Sequence, residues 1–141
     1  MAYPLKAWRT TFPYGVKYKS GGIHKGIDGA AEIGTPVYAA VGGLVVHSGA
    51  HKFRKGWGPA MGIHVIIDND KFKNGDPGLW AGYCHLSKVA LAVGQRVQRG
   101  DLIGWSGNTG RSTSPHLHFQ ILASRTWNPR KHVNPQRWLK A

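Results

Sequence analysis

Valine and isoleucine fall in short runs along this chain, each bounded by glycine, proline or small polar residues. That punctuation predicts many short strands joined by tight turns, and little helix. Thr35-Pro36-Val37-Tyr38-Ala39-Ala40-Val41, then Gly42-Gly43, then Leu44-Val45-Val46-His47-Ser48, reads as two strands meeting at a glycine turn, a hairpin. Gly62 to Asp68 (GIHVIID) is the strongest strand signal, and Asp68-Asn69-Asp70 closes it with turn chemistry. A polar loop at 69–78 leads into a strand over 79–86 (LWAGYCHL). Residues 94–104 alternate polar and apolar positions between glycines, which predicts two short strands paired around a turn. Residues 105–114 (WSGNTGRSTS) predict a loop, and 116–122 (HLHFQIL) a closing strand. The ends are less regular. Residues 1–22 read as an irregular arm along the surface, 49–61 as a basic loop, and 124 onward as a packed tail with at most one helical turn near 135–139. No repeat of fixed period and no low-complexity tract occurs.

A chain of 141 residues with 41% hydrophobic content can bury roughly two-thirds of its unfolded surface, so one domain over 1–141 and a mostly β class are expected. No apolar stretch is long enough for a membrane-spanning helix. The first twenty residues carry prolines and scattered basic groups in place of an apolar core, so they do not read as a secretory signal; a mature fragment trimmed of its signal would look the same. Cys84 is the single cysteine, which excludes an intramolecular disulfide and a Cys-rich zinc module. Nineteen Lys and Arg against six Asp and Glu give a formal charge of +13. Such a field attracts polyanions, whether nucleic acid, anionic lipid or the phosphate-rich polymers of a bacterial wall, and charge alone does not choose among them.

Three short stretches change the picture: HKGID (24–28), GYCHLSK (82–88) and SPHLHF (114–119). Together they supply four histidines and an aspartate. Side chains alternate faces along a strand, so His116 and His118 share a face while Leu117 and Phe119 turn to the other. His24 and Asp28, four apart, share a face of either a strand or a helix. Gly21, Gly22, Gly26 and Gly29 argue against the helix, since each costs about 1 kcal/mol relative to alanine there. Two imidazoles and a carboxylate meet the needs of a catalytic zinc ion, which takes three protein ligands and leaves one position open. Zinc lowers the pKa of water toward about 7 and polarises a scissile carbonyl. No HExxH motif is present and Glu32 is the only glutamate, so acid and base work would fall to histidines not used as ligands. His85 and one member of the His116/His118 pair are the candidates.

At these residues the chain resembles the lysostaphin-type (LytM-like) zinc endopeptidases, which hydrolyse peptide bonds of bacterial peptidoglycan. Their HxxxD corresponds to His24 through Asp28, followed by a family-like Gly34-Thr35-Pro36-Val37. Their catalytic His before Leu-Ser corresponds to Tyr83-Cys84-His85-Leu86-Ser87. Their long glycine-rich block ending in PHxHF corresponds to Gly94 through Phe119, the most specific of the three matches. The resemblance covers about residues 18–122, leaving 123–141 as a C-terminal extension. It implies that His24, Asp28 and His118 bind one Zn2+ per chain, and that His85 and His116 position and deprotonate the water and stabilise the tetrahedral intermediate. It also implies that Tyr18, six positions before His24, donates a hydrogen bond to the oxyanion. The implied fold is a compact, single-domain antiparallel β architecture with long loops forming a groove. The implied partner is peptidoglycan; the basic charge adds anionic wall polymers, and a monomer is expected. The missing signal suits a phage endolysin released from the host cytoplasm, with a mature secreted fragment as the other route.

Two other readings compete. A basic nucleic-acid-binding domain fits the charge and the Trp127 and Trp138 interleaved with tail cations, yet no nucleic-acid-binding motif is present. A catalytically inactive member that only binds wall or protein should have lost a ligand, and none is lost. Cys84 beside His85 invites a thiol-protease idea, but strand neighbours face opposite ways, so Cys84 is expected to be a small buried residue. His47, His51, His64 and His132 match no motif.

Overall fold

The computed structural model describes residues 1–69 and 78–140. Its strands are β1 (Thr10–Phe12), β2 (Ile27–Ala30), β3 (Pro36–Tyr38), β4 (Gly43–Gly49), β5 (Ile63–Asn69), β6 (Leu79–Val89), β7 (Arg96–Val97), β8 (Leu102–Ser106), β9 (His116–Leu122) and β10 (His132–Val133). They form one branched sheet with every pairing antiparallel: β1-β2-β9-β6-β5-β4-β7 in order, β10 beside β9, and β8 joining β6 to β3. Among the described residues the only helical segments are two single 3-10 turns, Pro59–Met61 and Pro135–Arg137. The mostly β, antiparallel expectation therefore matches the architecture.

Several local expectations do not. The segments 35–41 and 44–48 form no hairpin: β3 pairs with β8, and β4 with β5 and β7. Ala39, Ala40 and Val41 are all buried, so the chain runs through the core there and has no room to double back. The Gly42-Gly43 pair instead allows a close approach, because a Cβ on Gly43 would collide with the carbonyl of Asp68 on β5. The strands within 94–104 also fail to pair with each other. A turn does close at Gln98–Asp101, with Asp101 N–H donating to Gln98 O at 3.0 Å, but β7 leaves for β4 and β8 for β3 and β6. The expected loop at 105–114 begins later, since Trp105 and Ser106 belong to β8. The N-terminal arm is more structured than expected. Thr10–Phe12 is a strand on β2, Leu5 is buried, and Pro4 O accepts from Tyr38 N–H. Asn69 ends β5, and the rest of the expected 69–78 loop, up to residue 77, lies outside the described residues.

The sheet has two buried faces. Val45, Val65, Ile67, Ala81, Tyr83, Leu117, Phe119 and Ile121 pack into the main core. The opposite face carries Ile66, Trp80, Cys84 and Leu122 under Trp57, with Phe53, Met61 and Trp127 alongside. Gly82 lies directly beneath the Trp57 ring, where any Cβ would clash. The loop before β5 and the C-terminal tail thus cap the second face, tied together by Trp127 Nε1 donating to Lys55 O at 3.0 Å.

Two histidines of that second face are ordinary core residues. His47 and His64 are buried, with ring centroids 4.0 Å apart and planes 27° apart. His64 Nδ1 lies 2.8 Å from Gly62 O, and its Nε2 has no partner among the described residues. Burial, only partly offset by the Gly62 carbonyl, holds His64 down at about 4, and burial likewise lowers His47. An unfolded histidine titrates near 6.5, so between about pH 6.5 and about 4 the unfolded chain binds a proton here that the folded chain does not. Stability from this site is complete above the unfolded value and declines as pH falls through that window. Thermal midpoints of His64→Asn, whose amide can still donate to Gly62 O, should therefore fall less steeply from about pH 7 to about pH 4 than those of the parent. Parallel curves would show that His64 does not take up a proton on unfolding.

Candidate metal centre

The site is assembled by strand register. β2 and β9 are antiparallel neighbours with Asp28 opposite His118 and Ala30 opposite His116. Opposed residues share a face, so one carboxylate meets both histidines of the HxH pair. His24 precedes β2 in extended backbone, its N–H bonded to Val16 O at 2.8 Å. Between the two β2-side residues, Gly26 lets the chain press onto β9; a Cβ there would overlap Phe119 O and come within 2.9 Å of the His118 ring. His24 Nε2 lies 3.1 Å from Asp28 Oδ1, His118 Nδ1 2.9 Å from the same oxygen, and the two nitrogens 3.2 Å apart.

The donor set says what belongs between them. His24 Nδ1 is 2.9 Å from Pro13 O, and His118 Nε2 is 3.0 Å from Gln120 Oε1. Each outer nitrogen faces an oxygen that only accepts, so it carries the ring proton, and the inner nitrogens of neutral rings present lone pairs. Two lone pairs and a carboxylate oxygen then meet within 3.2 Å with no proton between them, an arrangement that a divalent cation satisfies. Among the described residues, His24, Asp28 and His118 are the one such group of three ligand atoms. Burial raises the Asp28 carboxyl, but where the rings are protonated hydrogen bonds from His118 and then His24, with their charges, outweigh it and hold the group well below the usual carboxylate range. The residues fit a zinc ion in ligand type, number and supporting contacts.

His85 reaches this centre through a backbone irregularity. It is the one described residue other than glycine with positive φ, at 63°. Two β6 residues, Cys84 and His85, stand opposite the single His64 between the Val65↔Tyr83 and Ile63↔Leu86 pairs, which is a β-bulge. Regular alternation would have sent His85 toward the main core; the bulge turns it to the metal side and returns Leu86 to the core beside Tyr83. Its Nδ1 is held 2.7 Å from Thr109 O, leaving Nε2 toward the site. Burial, with the neighbouring histidines, lowers His85 to about 4, so it is neutral at pH 7 and able to accept a proton. His116 Nδ1 sits 2.7 Å from Ser114 O, and its Nε2 is 3.6 Å from Asp28 Oδ2. The His85 and His116 rings are 5.0 Å apart. Tyr18 lies at the rim, 45% exposed, parallel to Phe12 at 5.8 Å and edge-on to His24 at 6.2 Å. Burial and then the Asp28 charge raise its hydroxyl, which keeps it a donor. Cys84 is fully buried against Met61, and burial pushes its thiol far up, so it offers no nucleophile.

A model of the family described as peptidase family M23 matches residues 22–135. The chain belongs to that family. It is 42% identical over 113 residues to the glycyl-glycine endopeptidase ALE-1 of Staphylococcus capitis, covering 80% of this chain and 27% of that one. It is 42% identical over 99 residues to the peptidoglycan DD-endopeptidase ShyA of Vibrio cholerae, covering 70% of this chain and 20% of that one. It thus spans about a quarter or less of these relatives' length. The catalytic domain of the antimicrobial peptidase lysostaphin from Staphylococcus simulans superposes with a TM-score of 0.77 at 32% identity, over 93% of this chain and 91% of that one. A zinc-containing peptidase from Vibrio cholerae gives 0.76 at 32% identity, over 99% and 39%.

This M23 chain surrounds its candidate metal centre with an open groove of two arms that share Asp28, Thr113 and His116. One, about 740 Å³, runs past Arg9, Glu32 and Ile33; the other, about 580 Å³, past Tyr18, Lys25, Met61 and Arg111. Sequence reasoning missed Gln120 and the carbonyls of Pro13, Thr109 and Ser114. Gln120 had a legible signal: it is the third polar residue at period two in an otherwise apolar strand, so it shares the face of His116 and His118. Because it fixes which His118 nitrogen carries the proton, Gln120→Leu should weaken zinc affinity about 10- to 100-fold in a chelator competition, while His118→Ala should abolish specific binding. Unchanged affinity in Gln120→Leu would show that the glutamine does not orient the ligand.

Proposed function

We propose that this chain is a zinc-dependent endopeptidase that hydrolyses peptide bonds of bacterial peptidoglycan, in a cross-bridge or a stem peptide, with one Zn2+ per chain held by His24, Asp28 and His118. The observation that carries this reading is the trio of acceptor atoms within 3.2 Å, with two further histidines beside it and a groove on both sides. Zinc bound there supplies Lewis-acid chemistry, lowering the pKa of water and polarising a carbonyl.

The remaining work belongs to the chain's own side chains. His85, with its Nδ1 proton directed to Thr109 O, holds Nε2 open to take a proton from the attacking water. His116, fixed in the same way by Ser114 O and 5.0 Å from the His85 ring, positions the water and shares in its deprotonation, and the proton taken from the water passes on to the leaving amine. Tyr18 at the rim donates its hydroxyl proton toward the developing oxyanion. The two arms hold the peptide on either side of the scissile bond. The +13 charge supports attraction to anionic wall polymers, and we propose that the chain acts at the wall as a monomer. Both routes there, release as a phage lysin and secretion as a mature fragment, are compatible with that surface.

Purified peptidoglycan should lose turbidity with the zinc-loaded protein and keep it when a chelator is present. His85→Ala and His116→Ala should each retain one equivalent of zinc while turnover falls about 10²- to 10⁴-fold. Lysis that persists in both variants would remove their proton-transfer roles, and lysis insensitive to chelator would remove the metal.

A further inference from the structure

The two arms of the groove differ in charge. The larger arm is lined by Arg9 and Glu32, one cation and one carboxylate that cancel in net charge without forming an ion pair. The smaller arm carries Lys25 and Arg111, and the single carboxylate that lines it is Asp28, already committed to His24 and His118. Both cations are exposed, and neither has an ion pair or side-chain hydrogen bond among the described residues. An ammonium and a guanidinium left unmatched beside the reaction centre form a receptor for a carboxylate, which arginine can take through two parallel N–H donors.

We infer that the peptide lying in the smaller arm bears a free carboxylate within a residue or two of the scissile bond, so that the substrate is an acidic stem peptide and not a neutral glycine bridge. The inference rests on the endopeptidase reading above. An oligoglycine has no group for Lys25 and Arg111, whereas a stem peptide containing a dicarboxylic amino acid, or ending in a free carboxyl group, does. The global field does not account for the preference, because two cations of nineteen change the long-range attraction little while removing all of the local pairing.

The test uses the full chain loaded with zinc and three synthetic peptides: a cross-linked stem dimer with free carboxylates, the same dimer with those carboxylates amidated, and pentaglycine. The parent should favour the acid over the amide by about fivefold in kcat/KM at low salt and cut pentaglycine least. In the double variant Lys25→Gln with Arg111→Gln the ratio should collapse toward one. A control removing equal charge elsewhere, Arg137→Gln with Lys140→Gln, should keep it. An acid-to-amide ratio of one in the parent, a ratio that survives the Lys25 and Arg111 changes, or pentaglycine as the best substrate would each overturn the carboxylate pocket while leaving the peptidase intact. No cleavage of any peptide by zinc-loaded protein would overturn the peptidase reading itself, and the pocket with it.

Discussion

Three hydrogen-bond acceptors within 3.2 Å of one another repel, and only a proton or a cation between them makes the arrangement favourable. In this chain each acceptor is held by a different constraint. The Asp28 carboxylate is set opposite His118 by the β2-β9 register. His118 is locked by Gln120 on its own strand, and His24 by the carbonyl of Pro13. None of these contacts can be relaxed singly, because a slip of one residue in β9 would carry His118, Gln120 and His116 to the core face together and bring Leu117 and Phe119 out. The apolar packing of Leu117, Phe119 and Ile121 therefore protects the geometry of the candidate site: the sheet keeps its register because those three side chains are buried, and Asp28 and His118 follow.

A second dependence runs through β6. Up to Cys84 this strand lies between β9 and β5; from Leu86 it pairs with β8. The change of partner happens at His85, whose left-handed backbone costs on the order of 1–3 kcal/mol. Tyr83 and Leu86, both fully buried, offset that cost by occupying the main core on either side of the bulge. The same irregularity that moves β6 to a new neighbour turns the His85 imidazole to the face of Asp28 and His118, so the fold and the candidate site share one strained residue.

Much of this was legible in the sequence. Alternation alone assigned Leu117 and Phe119 to one face and the two histidines to the other, and the isolated Cys84 was correctly read as a buried residue. Glycine punctuation located most strands to within a few residues. What alternation does not encode is the partner. The period-two pattern around Gly42-Gly43 and Gly100 marks strands and turns faithfully, yet β3, β4, β7 and β8 each leave for a distant neighbour, because pairing depends on which core surface is left to cover. The orientation of His85 was hidden for a related reason: a bulge breaks the parity on which the reading depends, and no residue type at 84–86 announces it. Strand β1 was hidden by length, three residues being too few to show a period.

The division between sheet and loops explains which aspects of function the residues fix. The three candidate ligands come from β2, β9 and the extended segment before β2, surrounded by buried side chains, and such elements define a geometry that varies little. Most of the lining of the two arms comes from residues 18–25, 31–33, 60–61 and 111–115, outside the strands and largely exposed, with Arg9 and the β1 residues Thr11 and Phe12 beside them. Residues placed so are free to change without disturbing a register or a core. The bond-breaking chemistry thus belongs to the strands, while the choice of peptide is set where Arg9 and Glu32 balance each other and Lys25 and Arg111 do not. A charge imbalance on a loop beside a rigid metal centre is the least costly way for such a scaffold to select a substrate, because it alters binding on one side of the scissile bond and leaves the packing beneath untouched.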